Sequence, residues 1–142
     1  MARNAIVLRG NPRREGGKAS GAITPGMLVE PTGTGESYRA QNTALAGAAP
    51  LFADFQHEKD GAGPNDAIAS GDSFTVVFAQ TGDKINAVTD DTIARGEWVE
   101  SAGGGKVQPA TSGYRIGYAA AASDLSGTVG RVEIIIAPVG VE

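Results

Sequence analysis

Few residues of this chain combine the side chains that catalysis or metal binding needs. His57, the single histidine, stands beside Glu58 and could form half of an acid–base pair, but no Gly-x-Ser-x-Gly nucleophile elbow accompanies it. The carboxylates around it lack the alternating spacing of a calcium-binding loop. They are Asp54, Glu58, Asp60 and Asp66. We therefore expect a solvated histidine and a charged rim at this point of the chain.

Two other segments could bind ions. The run Gly103-Gly104-Gly105-Lys106 has the glycines and lysine of a phosphate-binding loop, but Val107 follows where that loop needs Ser or Thr. A hairpin turn is the better interpretation. The pair Asp90-Asp91 could bind a hard cation. We expect instead that it starts a turn before Ile93, because Asp side chains accept backbone hydrogen bonds in turns.

The composition removes several other classes of site. The 142 residues contain no Cys and one His, which excludes disulfides, thiolate nucleophiles, zinc–thiolate centres, iron–sulfur clusters and multi-histidine metal sites. A cleaved signal peptide and a membrane span are not expected, because the apolar runs are only a handful of residues long. We predict a protein that is made in the cytoplasm and is not an enzyme, with no cofactor and no metal.

Charge is distributed unevenly along the chain. Residues 1–18 carry five cations and one anion, whereas residues 19–142 carry seven cations and fifteen anions. The sequence thus predicts a basic amino-terminal arm on a single acidic β domain. An acidic body argues against nucleic-acid binding, and the arm could dock on an acidic protein surface. The five candidate contact residues of the arm are Arg3, Arg9, Arg13, Arg14 and Lys18.

The apolar runs that must build the scaffold are short, rich in Val and Ile, and separated by Gly, Pro, Asp and Thr. This pattern predicts an all-β fold, a compact barrel or sandwich with little helix. Two short helices are possible, at 42–49 and 119–124, and hairpin turns are expected at 80–84 and 102–106. The ten predicted strands are 4–9, 27–30, 37–41, 50–55, 73–80, 84–88, 97–100, 106–109, 113–119 and 130–137.

An internal repeat organises these strands. A shift of 70 residues aligns 23–49 with 93–119 without a gap and gives nine identities over 27 positions, among them Gly26 with Gly96 and Glu30 with Glu100. We expect two pseudo-repeated halves, about 1–70 and 71–142, that complete each other's sheets and so leave fewer exposed edges.

Aromatic residues and one long loop are the remaining candidates for contacts. Trp98, Tyr114 and Tyr118 could anchor the core or form contacts between subunits, where Trp and Tyr are enriched. Residues 56–66 contain one apolar residue in eleven, which predicts an exposed loop that is either functional or only mobile. Its charged side chains include His57, Glu58 and Lys59.

Four motifs follow one another in the second half. Residues 69–77, 93–100, 105–110 and 114–119 carry a Gly-Asp strand, an Ile-x-x-Gly approach to a hairpin, a Gly-Lys-Val-x-Pro-Ala return and an Ile-Gly-x-Ala strand. With these motifs, the second half resembles the capsid decoration, or cement, proteins of tailed bacteriophages. The resemblance covers roughly 69–137. Glu97 stands where the family pattern has Asp, and neither the basic arm nor the loop at 56–66 belongs to that pattern.

The resemblance implies a β-rich virion protein, made in the host cytoplasm, that trimerises on the outer capsid surface. There it would clamp neighbouring major capsid protein subunits and stabilise the expanded head. It implies no catalytic residue, no cofactor and no contact with nucleic acid or membrane. In this interpretation the basic arm contacts the capsid. A β-rich adhesin, or a module that binds carbohydrate or a host surface through the 56–66 loop and Trp98, is the alternative.

Overall fold

The structure, a computed structural model, describes residues 5–33, 35–42, 49–56, 59 and 61–139. Those residues form eleven β-strands and no helix, so none of them lies in a helix that could cross a membrane. The strands are β1 (Val7–Arg9), β2 (Arg13–Ala19), β3 (Val29–Pro31), β4 (Ser37–Ala40), β5 (Leu51–Asp54), β6 (Ser73–Phe78), β7 (Lys84–Val88), β8 (Trp98–Gly103), β9 (Lys106–Pro109), β10 (Arg115–Ala119) and β11 (Arg131–Val139).

The strands form two sheets that pack as a sandwich-like fold. The six-stranded sheet has the order β1-β7-β11-β10-β8-β9, and the five-stranded sheet has the order β3-β4-β2-β6-β5. Two isolated bridges, Leu28 to Phe52 and Thr89 to Val107, lie outside the strand ladders. Each is a single residue pair, which does not close either sheet into a barrel. The all-β prediction is confirmed, and of its two architectures the sandwich is the one observed.

Strand β6 has buried side chains on both of its faces. Val77, with Phe52 of β5, belongs to an apolar core that also contains Ile85, Ile134 and other residues of the six-stranded sheet. Val76, the next residue along, belongs to a second core on the opposite face of the five-stranded sheet. Because alternate residues of a strand point to opposite faces, one continuous apolar run can serve both cores.

Strand β2 was not predicted. Its sequence, Arg-Arg-Glu-Gly-Gly-Lys-Ala, has no apolar alternation, yet it pairs with β6 over six residues and with β4 in parallel. A Cβ at Gly17 would lie 2.7 Å from the Tyr38 ring, so glycine here lets that ring pack directly over the strand. The structure therefore places 7–9 and 13–18, which belong to the predicted basic arm of residues 1–18, within the two sheets.

Two predictions of local structure are wrong. The turn at 80–84 forms, with the Asp83 amide donating to the Gln80 carbonyl at 2.9 Å, but it joins β6 of one sheet to β7 of the other and is not a hairpin. Residues 119–124 are not helical, because Ala119 ends β10 and Asp124 bridges Arg131. The other proposed helix, 42–49, lies almost wholly outside the described residues.

The hairpin predicted at 102–106 is confirmed, since β8 and β9 pair in antiparallel fashion across it. Its three glycines all have positive φ, between 62° and 83°, which L side chains rarely adopt. This glycine run therefore has a conformational reason that is independent of phosphate binding.

The strand pairings support an internal duplication. Strands β2 to β6 and β7 to β11 correspond in chain order: β3–β4 pairs like β8–β9, β5–β6 like β10–β11, and β2–β6 like β7–β11, all antiparallel. Turns with Gly26 (φ 93°) and Gly96 (φ 89°) introduce the two hairpins. The corresponding units are therefore 13–78 and 84–139, a later division than the one at residue 70, and β1 lies outside both.

Candidate functional site

Within the described residues, no group of three or more His, Asp and Glu could hold a metal ion. His57 and Glu58 lie outside the described residues, so their acid–base pairing is untested. Lys59 is exposed, and its amino group lies 3.9 Å from the Asp72 carboxylate. Asp90 accepts a hydrogen bond from the Lys106 amino group at 2.6 Å, and the Asp91 amide donates to the Thr89 hydroxyl at 3.0 Å. Both aspartates thus have partners in or near the predicted turn.

The glycine hairpin at 103–105 packs against the first unit. The Leu28 amide donates to the Gly105 carbonyl at 2.8 Å, and the Gly105 amide donates to the Gln41 carbonyl at 2.9 Å. Nearby, the Ser101 hydroxyl donates to the Gln41 side-chain oxygen. Because the Gly105 amide is already used within the protein, the hairpin has a structural role in joining the two units.

Two charged side chains, one half-buried and one fully buried, hold loops in place. The Arg131 guanidinium donates to the carbonyl of Pro25 at 2.7 Å, to the carbonyl of Asn86 at 3.2 Å and to the side-chain oxygen of Asn65 at 3.2 Å. It is enclosed by neutral acceptors, and burial lowers the pKa of Arg131 to about 10. Glu100, fully buried, is the second such group.

Hydrogen bonds hold Glu100 in its ionised form. Desolvation alone would raise its pKa, but donors from Gln108, Thr111 and Gly113, at 2.7 to 3.1 Å, outweigh that effect and lower the pKa. The carboxylate thereby fixes the segment between β9 and β10. The contacts of both Arg131 and Glu100 are thus structural.

The predicted basic contact residues are divided between the two sheets. Arg13, Arg14 and Lys18 lie on β2 of the five-stranded sheet, Arg9 lies on β1 of the six-stranded sheet, and Arg3 is outside the described residues. On β2, the Arg13 guanidinium lies 2.6 Å from Glu15 and packs over the Phe78 ring, and the Arg14 side chain lies 4.0 Å from Asp54. Arg13 and Arg14 therefore have acidic neighbours.

The strand register of the six-stranded sheet brings five residues into one line. Arg9 pairs with Lys84, Lys84 with Ile135, Ile135 with Tyr118, and Tyr118 with Trp98. Directly paired residues point to the same face of a sheet, and none of these five is buried. On β7, β11 and β8, the neighbouring residues along the chain, Ile85, Ile134 and Val99, are buried. We call this set the basic–aromatic row.

Aromatic and cationic contacts order the row. The Trp98 and Tyr118 rings meet edge to face, 5.5 Å apart at 65°, and the Arg115 guanidinium lies 5.7 Å from the centre of the Trp98 ring. At the other end an open groove is lined by side chains that include Arg9, Lys84, Arg95, Tyr118 and Ile135. Cations thus stand at both ends of an aromatic and apolar centre.

The structure brings together residues that the sequence analysis placed in separate groups. Arg9, a predicted capsid contact, shares the row with Trp98 and Tyr118, predicted subunit contacts, whereas the third aromatic residue, Tyr114, is 47% exposed just before β10. Sequence analysis missed the remaining members and neighbours of this surface. They are Lys84, Arg95, Arg115 and Ile135, and only the alternation within β7 and β11 hinted that two of them point outward.

Comparisons with known proteins bear on the fold of this chain. No family model matches the chain, and no curated protein matches it. Among solved structures, the fold is similar to that of the head fiber gp8.5 N base of bacteriophage phi29, with a TM-score of 0.61 and 13% sequence identity, over 92% of this chain and 98% of that one. This chain therefore shares its fold with the base of a phage head fiber.

Proposed function

We propose that this protein is a non-enzymatic structural protein of a bacteriophage virion, which binds the outer surface of the capsid and cements neighbouring major capsid protein subunits. The observation that carries the proposal is the fold shared with the phi29 head fiber base over 92% of the chain. The motif resemblance of residues 69–137 to capsid decoration proteins is a separate argument from the sequence, and it leads to the same class of protein.

A rigid sandwich suits such a role. Two sheets tied together by one apolar core and by the glycine hairpin hold their outer side chains in fixed positions. A protein that binds the assembled shell but not its separated subunits stabilises the shell by mass action, and many weak sites add up over a capsid. Cationic side chains would contact the capsid. Copies of the chain would associate, as a homotrimer, through exposed aromatic residues such as Tyr114.

A purified virion gives the direct test. Virions that lack the protein should lose their DNA at a lower temperature, or after a milder osmotic shock, than complete virions. Adding the purified protein back should restore the original threshold. Equal thresholds for virions with and without the protein would refute the cementing role, and absence of the protein from purified virions would refute the virion role itself. Light scattering of the free protein tests the trimer.

The alternative of a carbohydrate-binding module has less support. A sugar platform needs an exposed aromatic ring face, and the Arg115 guanidinium lies over the Trp98 ring. The edge-to-face angle of 65° between Trp98 and Tyr118 also prevents the two rings from forming one flat surface. Quenching of Trp98 fluorescence by added glycans would favour the alternative.

A further inference from the structure

We propose that the basic–aromatic row is a docking surface for an acidic surface of a partner protein. Under the function proposed above, on which this inference rests, that partner is the major capsid protein. The inference assigns Trp98 and Tyr118 to the contact with the capsid, whereas the sequence analysis gave them as core anchors or as contacts between subunits.

The first argument is geometric. The row crosses five adjacent strands, and neighbouring strands lie about 4.8 Å apart, so it extends about 19 Å across the sheet. Backbone pairing fixes the Cα position of every member. A backbone that is already held in place loses less freedom on binding, which favours association.

The second argument concerns residue types. Trp, Tyr and Arg are the side chains that most often dominate the energy of protein–protein contacts, and they are most effective around a desolvated centre. Here Ile135 and the two rings form that centre, and Arg9 and Arg115 flank it. An apolar centre with a charged rim is the usual anatomy of a protein interface.

The third argument is charge. Arg9 and Lys84 belong to the row, and Arg95 and Arg115 lie beside it, in a chain whose net charge is −4. The carboxylates beside the row in the described part of the chain include Glu133, 3.5 Å from the Lys84 amino group, and Glu97, which accepts a hydrogen bond from the Ala94 amide. The surface therefore keeps an excess of positive charge that would attract an acidic partner and orient its approach.

The same charge argues against pairing between two rows. If two copies met row to row, the four cations of one copy would face the four cations of the other, and like charges in contact cost free energy. The rest of the chain is acidic, so a head-to-tail contact between copies is a separate outcome that the experiment must detect.

The experiment compares two double charge reversals in the full-length chain. Arg9→Glu with Arg95→Glu alters the row, and Arg13→Glu with Arg14→Glu, on β2, changes the net charge by the same amount as a matched control. All four side chains are exposed, so both variants should fold, which circular dichroism and Trp98 fluorescence would verify. Binding of each protein to capsids that lack it is measured at low and high salt.

We expect the row variant to lose about tenfold or more in affinity at low salt, and the β2 variant to bind within about twofold of the wild type. A third variant, Tyr118→Ala, keeps the charge and should weaken binding at both salt concentrations. Wild-type affinity of the row variant, or equal losses in the two double variants, would overturn the inference. So would a changed molar mass of the row variant in light scattering, because the row would then be a contact between copies.

Failure of the proposed function has a different signature. If the wild-type chain itself does not bind the capsids, the capsid role fails before any variant is compared. If the wild type binds and the row variant binds as tightly as the wild type, the capsid role stands and the assignment of the row is wrong.

Discussion

Glu30 of the first unit and Glu100 of the second accept hydrogen bonds from equivalent positions of their hairpins, although seventy residues separate them. In each case one carboxylate oxygen accepts from a side chain of the next strand and the other accepts from a backbone amide just beyond that strand. The donors are Arg39 and the Asn42 amide for Glu30, and Gln108 and the Thr111 amide for Glu100. The duplication thus extends to side-chain contacts, with burial only at Glu100.

Replacing Glu100 with Gln should destabilise the protein by about 1–3 kcal/mol at pH 7, because the Thr111 amide and the buried Gly113 amide would lose a charged acceptor. The pKa of Glu100 is lowered in the folded state, so its contribution is complete above the ordinary carboxyl pKa and is lost as the pH falls through the folded-state value. Urea unfolding at several pH values should show the difference from the wild type shrinking in acid.

The equivalent change at Glu30 serves as the control. Glu30 pairs with Arg39 at 2.7 Å where both side chains are partly exposed, so Glu30→Gln should cost at most about 1 kcal/mol. An equal loss at both positions would contradict the view that burial makes the Glu100 contacts important.

Alanine substitutions at two adjacent glycines distinguish the cost of backbone strain from the cost of a clash between the two units. Gly104 (φ 62°) and Gly105 (φ 78°) both have positive φ, so alanine at either position should cost about 1–2 kcal/mol. A Cβ at Gly104 meets nothing within 4 Å, whereas one at Gly105 would lie 2.8 Å from the Met27 Cβ. Gly105→Ala should therefore lower the thermal midpoint more than Gly104→Ala. Equal midpoints would mean that the hairpin does not pack closely against the first unit at Gly105.

Arg131 should tolerate no replacement well. Its guanidinium reaches acceptors in three segments, and lysine has one nitrogen with which to replace these contacts. We expect Arg131→Lys to destabilise the fold by about 1.5–3 kcal/mol, as for lost hydrogen bonds to a charged group. Hydrogen exchange of the amides around Pro25 and Asn65 would report whether these loops are released together. Unchanged exchange there would contradict the proposed tie.

Tyr118→Ala should change the surface with little effect on the fold. The side chain is 37% exposed, and the edge-to-face contact with Trp98 accounts for about 0.5–1.5 kcal/mol. Emission of Trp98, the only tryptophan, should shift as its environment becomes more polar. A loss of stability well above this range would indicate that Tyr118 supports the core.

Apolar periodicity predicted ten of the eleven strands, because each of those strands has apolar residues that lie in a core or pack against one. Strand β2 escaped because Ala19, at its end, is its only apolar residue apart from glycine. Backbone pairing holds the rest of the strand, and Gly17 is covered by Tyr38, which lies further along the chain. The repeat was visible through turn glycines such as Gly26 and Gly96, whose positive φ restricts the residues allowed there.

The basic–aromatic row could not be predicted in the same way. Arg9, Lys84, Trp98, Tyr118 and Ile135 are adjacent only because of strand order and register, and neither is written in the local sequence of any one strand. Sequence analysis therefore identified three of these side chains as candidates but gave them different partners.

Pairing between β1 and β7 has a consequence for synthesis on the ribosome. All five strands of the five-stranded sheet lie within the first unit, 13–78, so they can pair before β7 has been translated. Strand β1, made before any of them, has to stay unpaired until Lys84 and Ile85 emerge. Arg9 therefore joins the row only late in folding, and a nascent chain interrupted before β7 would expose an unpaired strand and no complete docking surface.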